Sequence, residues 1–169
     1  VYVNGVPVGY SEDCGTPAEF NLAPFITDGT NTLGLEVYSW TTGAWLENTS
    51  LTGAGIEARV YLYSQPKIHI HDFAVDANLD SLNTMGVLSL DIEVVNNFNM
   101  PDTVMVYYEL TDAADKIIRY NTREIVVPGM GGRDTVHFEG LVRDVKKWSP
   151  EAPNQYKVVL RMRYQGRFT

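Results

Sequence analysis

The chain has 169 residues, a formal net charge of −8 and an isoelectric point of about 4.8. This length suits one or two small domains with a real hydrophobic core. The acidic balance excludes proteins that hold a phosphate backbone on a basic patch, so we expect no nucleic-acid partner. No apolar run approaches the roughly 18 residues of a membrane span, so we expect no membrane partner either. Cys14 is the single cysteine, which excludes an internal disulfide and leaves the compartment open, bacterial cytoplasm or periplasm.

Short segments of alternating apolar and polar residues follow one another along the chain. The first is a hairpin, in which Asn4-Gly5 separates two valine-containing runs, because both turn residues tolerate positive φ. The later segments place on one face the groups Leu33, Leu35 and Val37; Val60 and Leu62; Leu88, Leu90, Ile92 and Val94; Val104, Val106, Tyr108 and Leu110; and Val158, Leu160 and Met162. Period-two alternation is typical of half-buried antiparallel strands. We find no convincing amphipathic helix, and therefore predict an all-β protein.

A boundary is predicted at Ser64-Gln65-Pro66, because proline suits the exit of a strand. Residues 66–169 contain a self-contained series of strands, and turns are predicted between them at Asn96-Asn97, Asp112 to Asp115 and Pro128 to Gly132. This arrangement favours an immunoglobulin-like β-sandwich. Residues 1–65 contain too few strands to close a jelly roll. The sequence thus predicts a partial jelly-roll β-sandwich followed by an immunoglobulin-like β-sandwich.

Specific strings in both parts resemble one enzyme family. In the first part these are Val8-Gly9-Tyr10, Pro17-Ala18-Glu19-Phe20-Asn21, the strand ending at Trp40, and Leu46-Glu47-Asn48. In the second part, Lys147 to Tyr156 is similar to Leu-Trp-Ser-Pro-Glu-x-Pro-Asn-Leu-Tyr, with seven identities and no gap. These strings resemble the front domains of glycoside hydrolase family 2 enzymes of the β-galactosidase type. The first part then corresponds to the C-terminal half of the jelly-roll sugar-binding domain.

The resemblance implies that the chain is a non-catalytic part of a retaining hydrolase of β-galactosides or related β-glycosides. It places the two catalytic glutamates on a barrel that follows these domains, so we expect no catalytic residue in this chain. Glu19, Glu47 and Glu151 are interpreted as structural or solvated. The expected partners are that barrel, which these domains would scaffold, and the carbohydrate substrate. The last strand of the second domain is expected to be truncated.

The loop Thr41 to Asn48 departs from the family pattern. Enzymes of this type carry Ser-Asp-Gly-Ser-Tyr-Leu-Glu-Asp there, and the first Asp helps to hold a sodium ion and the sugar. Thr42 stands in its place. A hydroxyl can accept a hydrogen bond but brings no charge to a cation. By resemblance, Thr42 is the predicted substrate-binding residue, while sodium or magnesium is an expectation for the parent enzyme and no cofactor is expected in this chain.

Two other functions stay open on the sequence: a free-standing carbohydrate-binding module, for which Trp45 is the best aromatic platform, and an immunoglobulin-like adhesion or scaffold protein. His69 and His71 share a strand with Asp72, but a zinc site needs a third ligand, so a solvated strand face is the interpretation. Trp148 is predicted to be a buried anchor of the second domain. Self-association is expected, since a half jelly roll and an unpaired sheet edge both expose apolar groups.

Overall fold

The computed structural model describes residues 1–12, 16–38, 55–56 and 59–168. Within these residues the regular structure is β-strand, apart from one 3-10 turn at Ala23–Phe25, and the all-β prediction is confirmed. The described part contains no helix long and apolar enough to cross a membrane. The chain forms two compact units, Val1–Leu62 and Tyr63–Thr169.

The first unit contains a small antiparallel sheet of three two-residue strands. These are β1 (Tyr2–Val3), β2 (Val6–Pro7) and β3 (Leu33–Gly34), in the order β2-β1-β3. The predicted hairpin joins β1 to β2, and its turn residues Asn4 and Gly5 have φ values of 53° and 80°. The Asn4 side-chain amide also donates to the carbonyl oxygen of Phe25 at 3.1 Å. Asn4 thus forms the turn together with Gly5 and also connects the sheet to the 3-10 turn through its side chain.

The first unit buries little apolar surface in its described residues. Val3 is the one buried hydrophobic side chain there, at 3% exposure. The strand predicted through Val37 ends at Gly34, and Leu35 and Val37 are both exposed. Val60 and Leu62, which also alternate, form no strand and are exposed. Among the described residues of this unit, nothing buries the side chains of Leu35, Val37, Val60 and Leu62.

The second unit is a sandwich of two antiparallel sheets. Its strands are β4 (Ile68–Leu79), β5 (Gly86–Asn96), β6 (Asp102–Thr111), β7 (Ile117–Val127), β8 (Gly132–Val142), β9 (Lys157–Tyr164) and β10 (Arg167–Phe168). One sheet has the order β4-β5-β8 and the other β10-β9-β6-β7. All pairings are antiparallel, as the alternating pattern predicts.

The predicted inward faces of β5 and β6 form the centre of the core. Leu88, Leu90, Ile92 and Val94 meet Val104, Val106, Tyr108 and Leu110 across the sandwich, all at most 5% exposed. The rings of Tyr108 and Phe138 pack edge to face with centroids 5.1 Å apart, a favoured aromatic geometry. On β9, Met162 is fully buried, whereas Val158 and Leu160 are only partly buried.

The two sides of the sandwich differ. On the side of β7 and β8, Arg119 closes the gap: its Nε donates to Tyr108 Oη at 3.0 Å and its Nη1 to the Leu141 carbonyl oxygen at 2.9 Å. Gly140 leaves the space for this side chain, since a Cβ there would lie 2.2 Å from Arg119 Nε. On the side of β4 and β9 the sandwich is open, and Phe73 is 57% exposed.

The turns of the second unit follow their sequence signals with one exception. The predicted turn at Asp112 to Asp115 forms, with the Asp112 carboxylate accepting from the backbone N–H of Ala114 at 2.9 Å and of Lys116 at 3.0 Å. Asn96, expected in a turn with Asn97, instead ends β5 and is fully buried. Its side-chain amide donates to the carbonyl oxygens of Met100 at 3.0 Å and Val127 at 3.1 Å. These bonds satisfy the buried amide and hold two turns together.

Candidate functional site

The loop predicted to reach the substrate lies outside the described residues. Thr41 to Asn48, with Thr42 and Trp45, fall in the gap between residues 38 and 55. The substrate-binding role of Thr42 therefore stays a prediction. The described chain does include the segment that leads into this loop, from β3 to Tyr38, and that segment carries a polar cluster.

This cluster consists of Glu36 and the two tyrosines that bond to it. Tyr2 Oη donates to Glu36 Oε2 at 3.0 Å, and the Tyr38 hydroxyl also bonds to Glu36. The hydrogen bond to Glu36, followed by the charge of that carboxylate, raises the pKa of both phenols above the usual value. Both tyrosines therefore stay protonated at neutral pH and serve as hydrogen-bond donors with apolar ring faces.

The alternation of Leu33, Leu35 and Val37 places Glu36 and Tyr38 together on the opposite strand face, but it does not reveal the hydrogen bond between Glu36 and Tyr2. The signal was incomplete because the contact depends on β1 pairing with β3, with Tyr2 opposite Gly34. A second tyrosine–glutamate bond, from Tyr10 to Glu12, lies in the same unit. These groups give the segment before the predicted loop an exposed, aromatic and acidic surface.

The string at Lys147 to Tyr156 forms a tight loop at the end of the sandwich between β8 and β9. Trp148 and Pro153 make an antiparallel bridge, and Ser149 and Ala152 exchange backbone hydrogen bonds of 3.0 and 3.1 Å. The Asn154 side-chain amide donates to the Lys147 carbonyl oxygen at 2.9 Å. The similarity in this string therefore corresponds to a set of loop-closing contacts.

The prediction that Trp148 is a buried anchor is wrong. Its side chain is 64% exposed. Tyr156 is the aromatic residue of the string that packs against the core, and its hydroxyl accepts a hydrogen bond of 2.7 Å from the Lys146 backbone N–H. Because Trp148 pairs its backbone with Pro153, its ring projects from the loop and Tyr156 takes the inward position.

Two carboxylates of β5, Glu93 and Asp91, form surface pairs with basic side chains. Glu93 contacts Arg133 Nη1 at 2.9 Å and His71 Nε2 at 3.8 Å, and Asp91 contacts His137 Nδ1 at 2.8 Å. These pairs are partly exposed and lie on the outer face of the β4-β5-β8 sheet, which makes each of them a weak contributor to stability. Glu151 is an exposed loop residue.

The histidines of β4 make separate contacts. His69 Nδ1 lies 2.7 Å from the Pro66 carbonyl oxygen, whereas His71 faces Glu93. A register shift between Ile70 and Asp72 separates the two positions. Among residues 1–12, 16–38, 55–56 and 59–168, no three His, Cys, Asp or Glu side chains cluster as metal ligands would.

The glycine of the Val8-Gly9-Tyr10 string is required by side-chain packing in the structure. A Cβ at Gly9 would lie 2.5 Å from the ring of Phe20, so Val8-Gly9-Tyr10 and the string containing Phe20 fit together only with glycine. Asn21 stands where the family usually has Asp, and its Oδ1 accepts from the Ala23 backbone N–H at 3.1 Å. An aspartate can make the same local bond to the backbone two residues on, so the contact is compatible with either residue.

Sequence profiles of one enzyme family match nearly the whole chain. The profile described as "Glycosyl hydrolases family 2, sugar binding domain" matches residues 1–66, and the one described as "Glycosyl hydrolases family 2" matches residues 68–169. The chain belongs to glycoside hydrolase family 2, as its strings predict.

Curated relatives include β-galactosidases. That of Priestia megaterium is 34% identical over 172 residues, covering 96% of this chain and 16% of the relative. That of Halalkalibacterium halodurans is 37% identical over 163 residues, covering 96% of this chain and 15% of the relative. The chain thus spans about one-sixth of the length of these enzymes. The predicted resemblance to family 2 enzymes of the β-galactosidase type is confirmed.

Solved structures share the fold. A β-glucuronidase of Bacteroides uniformis aligns with a TM-score of 0.82 and 21% identity, over 97% of this chain and 20% of that one. A family 2 glycosyl hydrolase of Bacteroides cellulosilyticus aligns with a TM-score of 0.76 and 15% identity, over 99% of this chain and 23% of that one. At these identities the likeness concerns the fold alone.

Proposed function

We propose that the chain is the non-catalytic front part of a retaining glycosidase that cleaves β-galactosides. The observation that carries this proposal is the similarity to β-galactosidases over 96% of the chain, at 34% and 37% identity. A retaining displacement needs two carboxyl groups about 5 Å apart, one as acid and base and one as nucleophile. The proposal places both in the catalytic barrel that follows these domains.

In this proposal the chain has two roles. The sandwich supports the barrel, and the loop containing Thr42 contributes to the edge of the sugar site. The cluster of Tyr2, Glu36 and Tyr38 supports the second role, because its hydrogen bonds order the segment from which the loop departs. Thr42 would accept or donate a hydrogen bond to a sugar hydroxyl. Sodium or magnesium would belong to the parent enzyme and, lacking an aspartate at position 42, would take its charged ligands elsewhere.

The first experiment compares this chain with its parent enzyme on a chromogenic β-galactoside and the matching β-glucuronide. We expect turnover of the galactoside by the parent and none by the chain at high protein concentration. Turnover by the purified chain that a single glutamate substitution abolishes would contradict the assignment of the carboxylates. If the parent enzyme cleaved the glucuronide and not the galactoside, the proposed β-galactoside specificity would be wrong.

The second experiment tests Thr42 in the parent enzyme. Thr42→Ala should raise KM several-fold with a smaller effect on kcat, because a hydrogen bond at the edge of the site binds the substrate and the transition state alike. Thr42→Asp should make activity more dependent on sodium, since it adds a charged ligand. Thr41→Ala is the matched control. Equal KM values for all three variants and the unsubstituted enzyme would remove Thr42 from the site.

A further inference from the structure

Two of the five methionines of the chain are exposed in turns at one end of the sandwich in the second unit. Met130 lies in the turn between β7 and β8, and Met100 lies in the turn between β5 and β6. Their side chains are 84% and 71% exposed. Methionine is ordinarily used to fill irregular gaps in a core. Neither side chain fills such a gap, so core packing does not account for methionine at these two positions.

Met130 also has a backbone conformation that methionine rarely adopts. Its φ is 60°, in the left-handed region that favours glycine and asparagine. Hydrogen bonds on two sides hold this conformation. The Met130 N–H donates to the Phe98 carbonyl oxygen at 2.6 Å, and the Gly131 N–H donates to the Asn96 carbonyl oxygen at 2.9 Å. A residue that its surroundings keep in an unfavourable conformation motivates a search for a function at that position.

The two methionine-containing turns are in direct contact. The Asn96 side-chain amide donates to the Met100 carbonyl oxygen at 3.0 Å, and a Cβ at Gly129 would lie 2.7 Å from the Met100 carbonyl carbon. The hydrogen bond from Met130 to Phe98 joins the same two turns. Both thioether side chains therefore extend into solvent from one hydrogen-bonded surface, which we call the methionine tip (Met100 and Met130).

The other three methionines are shielded in different ways. Met162 is fully buried in the core, and Met85 is partly buried. Met105 is also partly buried, and its sulfur accepts a hydrogen bond of 2.7 Å from the Tyr107 hydroxyl. That bond engages a lone pair of the sulfur, and a thioether attacks an oxidant through the same electrons. The methionine sulfurs of the chain thus differ in their access to solvent and in their nucleophilicity.

We propose that the methionine tip is a modification site at which hydroperoxides oxidise this protein, and that Met85, Met105 and Met162 are spared in the folded state. At each site the thioether sulfur attacks one oxygen of the peroxide. A sulfur–oxygen bond forms and the oxygen–oxygen bond breaks. The hydrogen of the transferred oxygen passes to the leaving oxygen, which departs as water or as an alcohol. The sulfur is oxidised by two electrons to the sulfoxide, and the peroxide is reduced.

The fold tolerates a sulfoxide at the methionine tip but not in the core. At Met100 and Met130 the added oxygen is hydrated, because both side chains are exposed. At Met162 the same polar oxygen would lie within the hydrophobic core, where an unpartnered polar group is unfavourable. The exposed sulfoxides are also accessible to methionine sulfoxide reductases, which restore the thioether. The tip can therefore react with oxidant repeatedly while the core stays intact, a property that is independent of the proposed glycosidase role.

Treatment of the folded chain with hydrogen peroxide, followed by peptide mass spectrometry, tests this proposal. We expect oxidation at Met100 and Met130 to be about tenfold faster than at Met105 or more, so that the mass rises by two oxygen atoms before a third is added. The urea midpoint of this doubly oxidised chain should equal that of the untreated chain. In concentrated urea, where the fold is lost, all five methionines should be oxidised at similar rates.

Variants connect these rates to the observed contacts. Tyr107→Phe removes the hydrogen bond to the Met105 sulfur and should raise the rate of Met105 oxidation several-fold without changing the rates at the tip. Tyr120→Phe, on the outer face of the same sheet and 74% exposed, is the matched control and should change none of them. Replacing both tip methionines by leucine should abolish the fast phase. A fast phase that survives in this double variant would overturn the proposal, as would oxidation of any other methionine of the folded chain at the rate of the tip.

Discussion

Trp148 and Tyr156 lie in one similar string but have opposite environments. Both are large aromatic residues within three positions of a proline, and residue type alone favours burial of tryptophan at least as much as of tyrosine. The deciding contacts are the bridge from Trp148 to Pro153 and the hydrogen bond from Lys146 to the Tyr156 hydroxyl. A hydroxyl that accepts a backbone bond close to the core suits tyrosine, whereas the Trp148 ring makes no such contact. The direction of each ring depends on loop closure, which the string does not reveal.

Substitution of Trp148 should therefore have little effect on the stability of this chain. We expect Trp148→Ala to lower the free energy of unfolding by less than about 1 kcal/mol, because a mostly exposed ring leaves no cavity. Phe138→Ala is the comparison and should cost about 3–5 kcal/mol, since that ring is 1% exposed. Urea unfolding of both variants measures the difference. Equal losses would mean that the Trp148 ring is packed in solution.

Gly140 is a second residue whose role is invisible in the sequence. It lies within β8, where glycine ordinarily weakens a strand. The structure gives the reason, because Arg119 of β7 crosses the space where a Cβ would be and reaches Tyr108. The sequence shows only a glycine in one strand and an arginine on the inward side of another. The contact that joins them spans two sheets and depends on the completed sandwich.

At the scale of elements, alternation predicted the strands that have partners on both sides. β5 lies between β4 and β8, and β6 lies between β9 and β7. Both bury the predicted faces, Leu88 to Val94 and Val104 to Leu110. The same pattern at Leu35 and Val37, or at Val60 and Leu62, forms no strand. Alternation states which face of a segment is apolar, whereas a strand also requires a neighbour, and the neighbour is set by tertiary structure.

Two aspartates fix the turns that join these strands. The Asp80 carboxylate accepts from the backbone N–H of Met85 and of Thr84, and these bonds lower the pKa of Asp80 below its usual value. Backbone bonds from Lys116 and then Ala114 lower the pKa of Asp112 in the same way. A carboxyl group with a lower pKa in the folded state binds protons more weakly there than in the unfolded chain. Its stabilising effect is thus complete above the unfolded pKa of about 3.9 and is lost as the pH falls through the lower folded value.

The double variant Asp80→Asn, Asp112→Asn should consequently lose less stability on acidification. Asparagine retains an acceptor oxygen but does not titrate, so the acid-dependent contribution of both turns disappears. We expect a lower urea midpoint than that of the unsubstituted chain at neutral pH and a smaller fall between neutral pH and pH of about 3. Asp134→Asn, a residue with a local bond to Thr135 only, is the matched control. Parallel midpoint curves for the double variant and the unsubstituted chain would show that these turns do not contribute to the pH dependence.

At the scale of the whole molecule, a few short strings are enough to identify the family. They do not reveal how much apolar surface each domain exposes. The strings around Gly9 and Phe20 and from Trp148 to Tyr156 match glycoside hydrolase family 2, and in the structure they make local packing and loop-closing contacts. The amount of apolar surface that a domain exposes depends on which elements pack against each strand. Phe73 and Val75, for example, lie on the inward face of β4 but are exposed. Their exposure depends on how the two sheets pack, which the sequence pattern does not encode.

The uncovered surfaces predict that this chain self-associates. The second unit exposes apolar side chains along a groove between β4 and β9, and the first unit exposes Leu35, Val37 and Leu62. Apolar surface of this kind is removed from water when two copies pack together, and free strand edges supply hydrogen-bond partners. The register shift in β4 between Ile70 and Asp72 disfavours pairing along that edge, so the part of the β9 edge that does not pair with β10 is the expected site of contact in the second unit.

Light scattering across a dilution series, from high to low micromolar chain concentration, measures this association. We expect a mass above that of the monomer at the high end and a decrease on dilution. Val75→Lys should lower the association, because a charge in the groove opposes packing there, and Leu62→Lys should lower it independently through the first unit. Glu139→Gln, on the polar outer face of β8, raises the net charge by the same single unit and is the control for the change in charge. A strictly monomeric chain at high micromolar concentration would contradict the prediction, and an equal effect of all three variants would assign the association to net charge rather than to these surfaces.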